Sequence, residues 1–263
     1  MTTPILLVGG AGRMGGALVA GWRRAGAFSA DQLMIRDPAP GADALASGAV
    51  IDPDPAAMAR ASTVVLAVKP QIWRAVAADV APHLAADAVI VSIAAGVASA
   101  DIAAAFGARR VARVMPTTAA AIGQGTASVF AADPEARARA QALFSPLGTV
   151  VNLDDEDLMH AATAVSGSAP AYLYAFVEAL EAAGAALGLP AAAARDLARA
   201  TVAGAAALMA GSGADAAELR RQVTSPGGTT EAALKVLMGE GGLGPLLKAA
   251  ATAAEQRSRE LGR

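Results

Sequence analysis

The chain has 263 residues, enough for one large domain or two smaller ones, each with a core of its own. A formal net charge of -2 gives no basic footprint for nucleic acid, and the absence of Cys with only two His (His83 and His160) excludes disulfides, zinc-thiolate sites and Cys-His catalysis, so no metal site is expected. No signal peptide or membrane span is expected either, and a cytoplasmic location fits: Met1 leads into an apolar run without a basic region, and the uncharged stretch 158–177 is interrupted by His160, Ser166, Gly167, Ser168 and Pro170.

Residues 5–8 form a short apolar run, and Gly9-Gly-Ala-Gly-Arg-Met-Gly15 follows before the helical pattern of 17–22. Gly10, Gly12 and Gly15 thus make a G-x-G-x-x-G between a first strand and a first helix, where a pyrophosphate can approach the backbone and the helix N-terminus. Residues 32–36 read as a second strand ending at Asp37, 22 residues past Gly15. That is the place for an acidic group that hydrogen-bonds a ribose 2'-hydroxyl. The alternative is that Asp37 merely opens a turn with Pro38, and Arg36 beside it offers a partner for a 2'-phosphate.

The alternation continues through buried parallel-type strands at 64–68, ending at Lys69-Pro70, at 89–93, ending in Ala94-Ala95-Gly96, and at 110–115, ending at Pro116. Ligands of an open parallel sheet sit beyond the carboxyl ends of its strands, which places Lys69 and the Ala95-Gly96 turn along a dinucleotide crevice. Lys69 otherwise reads as a solvated loop charge. Two further strands, 126–130 and 149–153, flank a helical 134–144 and close the first domain. The fold class is α/β: an N-terminal Rossmann domain, doubly wound with a mostly parallel sheet, over 1–158, followed by an all-α domain over 159–263.

In the second part Tyr172, Phe176, Leu180 and Leu187 keep roughly helical spacing and read as core. Pro190 starts another helix and Gly211-Ser-Gly213 ends it, with a centre made mostly of Ala and Gly. Such alanine-faced helices form a modest core alone, so another subunit is expected to complete them. Further on, Pro226-Gly-Gly228 breaks the chain before the helix formers that begin at Thr229. The amides of Gly228, Thr229 and Thr230 are expected to point outward at a helix N-terminus, which suits a small carboxylate; the plainer reading is a capped helix start.

Taken together, Gly10-Ala-Gly-Arg-Met-Gly15, Ala67-Val-Lys-Pro70, Ser92-Ile-Ala-Ala-Gly96, Val165-Ser-Gly-Ser-Ala-Pro-Ala-Tyr172 and Val223-Thr-Ser-Pro-Gly-Gly-Thr-Thr230 resemble the Δ1-pyrroline-5-carboxylate reductases. The last two motifs are the specific ones, and the resemblance runs from the first strand to the helix at 255–261. It implies reduction of a cyclic imine carboxylate to L-proline with NADPH or NADH, by a homodimer often assembled as a decamer of dimers. It places Ala11, Arg13, Met14, Asp37, Asp54, Val68, Lys69, Ala95 and Gln222 around the cofactor, with Gly10, Gly12, Gly15, Arg36, Pro70 and Gly96 beside them. Glu156, Gly228, Thr229 and Thr230 fall at the substrate, Thr230 as the proton-side catalytic group. Thr117 and Ala119 depart from the usual Met-Pro-Asn-Thr-Pro, His160 stands for an Asp, and Ala169 stands where the Ser-Gly-Ser-Gly loop has its second Gly, adding a methyl to a tight loop.

Hydride attack on a protonated imine needs a positioned nicotinamide and a carboxylate anchor, not a strong general base, so the poverty in His and Cys is no obstacle. Two rival functions are a 3-hydroxyisobutyrate-type hydroxyacid dehydrogenase and a nucleotide-binding regulatory protein without turnover. The first relies on a helical-domain lysine, and no Lys occurs between Lys69 and Lys235.

Overall fold

The computed structural model of the chain describes residues 4–262. Strand and helix alternate from the start: β1 (Ile5–Val8), α1 (Arg13–Ala25), β2 (Leu33–Arg36), α2 (Ala42–Leu45), β3 (Val50–Ile51), α3 (Pro55–Met58), β4 (Thr63–Leu66), α4 (Trp73–Val80), β5 (Val89–Ser92), α5 (Ser99–Ala105) and β6 (Val111–Pro116). Then come β7 (Gly125–Phe130), α6 (Pro134–Phe144) and β8 (Gly148–Leu153). The strands join in one sheet of order β3-β2-β1-β4-β5-β6-β7-β8, with the order reversing across β1 and β4 as in a doubly wound fold.

Every pairing is parallel except β6 with β7. The exception has a simple cause. Only a short link holding the 3₁₀ turn Thr118–Ile122 joins β6 to β7, so the chain reverses, whereas β7 returns to β8 through α6 and stays parallel. β1, β4 and β5 are buried at all positions, because helices cover both faces of the sheet. One face packs Leu18 and Trp22 of α1 and Leu143 and Phe144 of α6 against the strands; the other packs Trp73 and Ala77 of α4 and Ile102 of α5. The Trp22 indole is satisfied inside that layer, its Nε1 donating to the Leu143 carbonyl at 2.8 Å.

Strand ends fall within a residue or two of the sequence expectation, but β3 was not foreseen. Two residues at a sheet edge show no period to read.

After the sheet, α7 (Leu158–Ala162) runs into a π-helical turn, Thr163–Gly167, in which Thr163 and Ser166 return hydroxyl bonds to the carbonyls of Met159 and Ala162. The helices α8 (Ala169–Ala186), α9 (Ala191–Gly211), α10 (Ala216–Gln222), α11 (Thr229–Leu237) and α12 (Leu243–Leu261) follow. The chain divides into two compact units: residues up to Gly167 together with those from Ala253 onward, and Ser168–Thr252. The last turns of α12 thus belong to the sheet-bearing unit, which a boundary at 158/159 read along the chain does not separate out.

In the helical unit α8 and α9 approach closely through small residues, an added Cβ at Gly184 standing 3.1 Å from Ala194 Cβ. Yet α8 has no buried residue. Phe176 is 42% exposed and Leu187 87%, so the stripe that reads as core in the sequence is not core within one chain. The correction is physical: helical spacing marks an apolar face without saying which molecule covers it. Among the described residues, no helix is long and apolar enough to cross a membrane.

Candidate active site

The loop between β1 and α1 is shaped by what its glycines leave out. A Cβ at Gly10 would stand 2.6 Å from Ile35 Cγ2, and one at Gly15 would run into the Gly9 carbonyl oxygen, so these two let β1 and α1 pack onto the sheet. At Gly12 an added Cβ meets nothing within 4 Å; this glycine faces open space and heads α1. No acidic residue occupies the first turn, so the helix end presents its amides and positive pole outward. Gly10, Ala11, Gly12 and Arg13 line a cleft of about 410 Å³ there, while Met14 and Gly15 lie behind them in α1.

On the other side of the loop lies a cleft of about 500 Å³, walled by Val8, Val68, Ile72, Val76 and Val80 and rimmed by Arg36, Asp37, Asp52 and Asp79. Asp37 is 9% exposed, and its carboxylate accepts the Ala11 amide through Oδ2 at 2.6 Å and the Ala39 amide through Oδ1 at 2.9 Å. Apolar walls with acceptors at the end of β2 suit an adenosine with its ribose hydroxyls on Asp37. Arg36 does not stand free: it pairs with Asp79 at 2.7 Å and with Asp52 at 3.4 Å. Sequence reading missed both partners, since they are 16 and 43 residues away.

Beyond β5 a third cleft, of about 390 Å³, is lined by Gly96, Arg113, Glu156, Asp157, His160 and Arg259 among others. Arg113, on β6, is 4% exposed and donates to Glu156 at 2.8 Å. The same carboxylate accepts the Ser99 amide and hydroxyl, each at 2.7 Å. Burial pushes the Glu156 carboxyl up, but the Ser99 hydroxyl and the Arg113 guanidinium outweigh it and hold the group below its ordinary value. His160 Nδ1 lies 2.9 Å from the Ser258 hydroxyl, and burial, then the positive charges of Arg259 and Arg113, push the imidazole below its ordinary value. Arg259 grips Asp157 with two nitrogens at 2.6 and 2.8 Å, and this ion pair, ahead of the cost of desolvation, holds Asp157 low. These contacts seat the end of α12 against the β5 turn, where an added Cβ on Gly96 would come within 2.9 Å of the Gly262 amide.

In the helical unit, Gly227 has φ of 72°, the left-handed region that glycine enters freely, and Gly228 caps α11 in extended conformation. The Gly228 amide does not point outward as expected, because the turn closes on itself and that amide donates to the Ser225 carbonyl at 3.0 Å. The Gly227 amide is taken by Glu231 Oε2 at 2.5 Å. Among the described residues no acceptor meets the amides of Thr229 and Thr230, so these are the ones left to a ligand. Lys235 pairs with Glu231 at 3.5 Å.

Other predicted residues divide as follows. Val68 lines the adenosine-shaped cleft and Ala95 lies in the β5 turn beside Gly96, whereas Lys69 and Pro70 follow β4 without lining any of the three clefts. Asp54 caps α3, its Oδ1 accepting the Ala57 amide at 2.7 Å. Gln222 lies in the helical unit and donates to Glu218 at 3.2 Å. Thr117 is buried and accepts the Thr126 amide at 3.0 Å, a tie between β6 and β7. Ala169 is no strain in a tight loop, contrary to expectation: it is the first residue of α8, where alanine is favoured. Ser99, Arg113, Ser258 and Arg259 were missed, because their partners are brought by the fold and not by sequence spacing. Among the described residues no group of acidic, His or Cys side chains is placed to hold a metal ion.

A doubly wound sheet with an open glycine loop, a buried acidic residue after β2 and an appended helical unit defines a nicotinamide-dinucleotide-dependent oxidoreductase. Residues 4–96 match the family described as NADP oxidoreductase, coenzyme F420-dependent, and residues 156–261 match that described as pyrroline-5-carboxylate reductase dimerisation. A pyrroline-5-carboxylate reductase of Pseudomonas aeruginosa is 41% identical over 99% of this chain and 98% of its own length. The solved structure of such a reductase from Coxiella burnetii, 33% identical, superposes with a TM-score of 0.91 over the whole of both chains. That of a Plasmodium falciparum pyrroline carboxylate reductase with NADP bound, 25% identical, gives 0.85 over 100% of this chain and 99% of the other. The chain belongs to the pyrroline-5-carboxylate reductase family.

Proposed function

We propose that the protein reduces Δ1-pyrroline-5-carboxylate to L-proline with NADPH or NADH, the closing step of proline biosynthesis. The observation that carries this is 41% identity to a pyrroline-5-carboxylate reductase across essentially both full lengths. The glycine loop heading α1, the β5 turn and the Gly227–Thr230 turn all stand within that span.

A bound reduced nicotinamide supplies the hydride. The chain's part is to hold and orient. The amides at the head of α1, with Gly12 open to approach, hold the pyrophosphate; Asp37 takes the ribose hydroxyls; Val68 and its apolar neighbours take the adenine. Ala95 and Gly96 bound the nicotinamide end, and Glu156, fixed by Ser99 and Arg113, keeps the chain beside that turn in register for substrate. Asp54 acts from the edge of the cofactor site. The amides of Thr229 and Thr230 take the substrate carboxylate, with Gly228 shaping the turn, and the Thr230 hydroxyl serves the ring nitrogen.

Residues 1–158 carry the cofactor in this reading, and 159–263 dimerise and contribute the substrate turn, which the dimerisation-family match over 156–261 supports. The exposed apolar side chains of α8 and α9 fit a homodimer, with dimers assembled further into a decamer of dimers, in the cytoplasm. The test is direct. Purified protein supplied with the imine and either reduced nicotinamide should consume the cofactor and release L-proline in equal amounts; no turnover with either cofactor would overturn the reading.

A further inference from the structure

Arg36 is the single cation among the described residues that line the adenosine-shaped cleft, and it is already occupied. One guanidinium nitrogen lies 2.7 Å from Asp79 Oδ2 on α4, and another lies 3.4 Å from Asp52 Oδ1 after β3. Asp52 is held in place by its backbone: its amide donates to the Ile35 carbonyl at 2.8 Å, and its φ of 51° is left-handed, a conformation that Asp tolerates better than most side chains. Asp37 lines the same opening, so three carboxylates and one guanidinium surround it, and two of the three hold the guanidinium.

We infer that this cleft selects the 2'-hydroxyl of NADH over the 2'-phosphate of NADPH, and that Asp52 and Asp79 are specificity-determining residues because they hold Arg36. This deepens the proposed function and rests on its cofactor site.

A 2'-phosphate needs cations or free N-H donors, and at neutral pH it carries nearly two negative charges. Here it would meet Asp37, whose carboxylate accepts only, and an arginine that must first leave two acidic partners. A ribose hydroxyl needs no cation. It donates to Asp37, which keeps lone pairs free after accepting the amides of Ala11 and Ala39. Arg36 next to Asp37 in sequence suggests compensation for a phosphate, but its partners point its charge toward Asp79 and Asp52.

The experiment measures Kd for NADH and NADPH by fluorescence titration without imine, for the wild-type protein, Asp52→Asn/Asp79→Asn and the conservative Asp79→Glu. The wild type should bind NADPH at least about tenfold more weakly than NADH, as like charges brought together predict. The double variant should narrow that ratio by roughly tenfold, and Asp79→Glu should keep it. Both aspartates have well-exposed side chains, 66% and 57%, so loss of the fold is not the expected outcome; circular dichroism checks it. Higher ionic strength should also shrink the wild-type ratio. Equal or tighter binding of NADPH by the wild type overturns the inference, and an unchanged ratio in the folded double variant overturns the role of the two aspartates. Binding of neither dinucleotide would remove the cofactor reading itself, and the selectivity with it, whereas failure to reduce the imine despite selective binding would count against the proposed substrate alone.

Discussion

The Asp37 carboxylate accepts the Ala11 amide at 2.6 Å, tying the end of β2 to the middle of the glycine loop. One side chain therefore shapes the glycine loop and, in the proposed function, also takes the ribose hydroxyls. Replacing it by Ser shortens the reach to Ala11 and removes a charge-assisted bond worth about 1.5–3 kcal/mol, so NADH affinity should fall roughly tenfold to a hundredfold. NADPH affinity should fall less, because repulsion of its phosphate is relieved. A wild-type preference for NADPH that Asp37→Ser leaves untouched would contradict both roles.

Arg113 and Glu156 make a second test, on stability. Glu156→Gln leaves the buried guanidinium with a neutral partner, and Arg113→Met removes the cation while keeping an apolar stem. Both changes break the pair, but Glu156→Gln strands the more deeply buried charge, whereas Arg113→Met leaves a half-buried carboxylate that Ser99 still holds. Glu156→Gln should destabilise by on the order of 2 kcal/mol, seen as a thermal midpoint lower by roughly 4–8 °C. Arg113→Met should cost less. A Glu156→Gln midpoint within a degree of wild type would show that the pair does not hold the β5 and α7 segments together.

Acidification should weaken the sheet-bearing unit in two stages. His160 has a folded value below its ordinary 6.5, so the unfolded chain takes up a proton first, and stability falls as pH drops through 6.5 toward the folded value. Glu156 is also held below its ordinary value; its contribution is full above the unfolded carboxyl value of 4.5 and disappears as pH falls through the folded one. Thermal melts from about pH 8 down to about pH 3 should show His160→Gln flattening the upper part of the decline and leaving the lower part. If the upper decline persisted in His160→Gln, protonation of His160 would not be its cause.

The helical unit predicts association. Tyr174 is 65% exposed and Phe176 42% on α8, a cost that a second copy packed on this face would remove. Analytical ultracentrifugation should find a dimer or a multiple of one, and Phe176→Asp should shift it toward smaller or aggregated species. A wild-type monomer that remains active when dilute would refute the homodimer.

Much of this molecule is visible in its sequence, for reasons that differ by element. The buried parallel strands read clearly because 5–8 is an apolar run between Pro4 and Gly9, and because the largely apolar 64–68 and 89–93 stop within three residues of Pro70 and Gly96; the glycine loop reads from its spacing. What stayed hidden depends on distance along the chain. Asp52 and Asp79 look like surface charges until β2, β3 and α4 bring them to Arg36, and Arg259 looks like a helix-end charge until α12 returns to Asp157. The stripe at Tyr172, Phe176 and Leu187 shows the converse failure. Its helical period matches α8, but period carries no information about which chain covers a face. Ala169 reads as the end of the Ser-Gly-Ser loop, one residue before the helical spacing begins at Pro170, whereas α8 already starts at Ala169 with Pro170 in its first turn.

The last prediction concerns the turn before α11. Gly227 and Gly228 do different work there: Gly227 supplies the left-handed φ of 72°, and Gly228 leaves room beside Ser225, whose carbonyl oxygen would lie 3.1 Å from an added Cβ. Gly228→Val should therefore distort the helix entry and lower kcat/KM more than any change at Thr230. Thr230→Val keeps the shape and the backbone amide but removes the hydroxyl, losing a hydrogen bond to a charged or polar substrate worth about 1.5–3 kcal/mol and lowering kcat/KM roughly tenfold to a hundredfold. NADH affinity should stay unchanged in both. Glu231 gives a control on the turn itself, because its carboxylate takes the Gly227 amide at 2.5 Å: Glu231→Gln should preserve that contact, while Glu231→Ala should loosen the turn and raise KM without a matching fall in kcat. The measurement is kcat and KM for the imine at saturating cofactor, beside dinucleotide Kd and circular dichroism. Wild-type efficiency in Thr230→Val would eliminate the proton-side role, and wild-type efficiency in a folded Gly228→Val would reduce the turn to a helix cap.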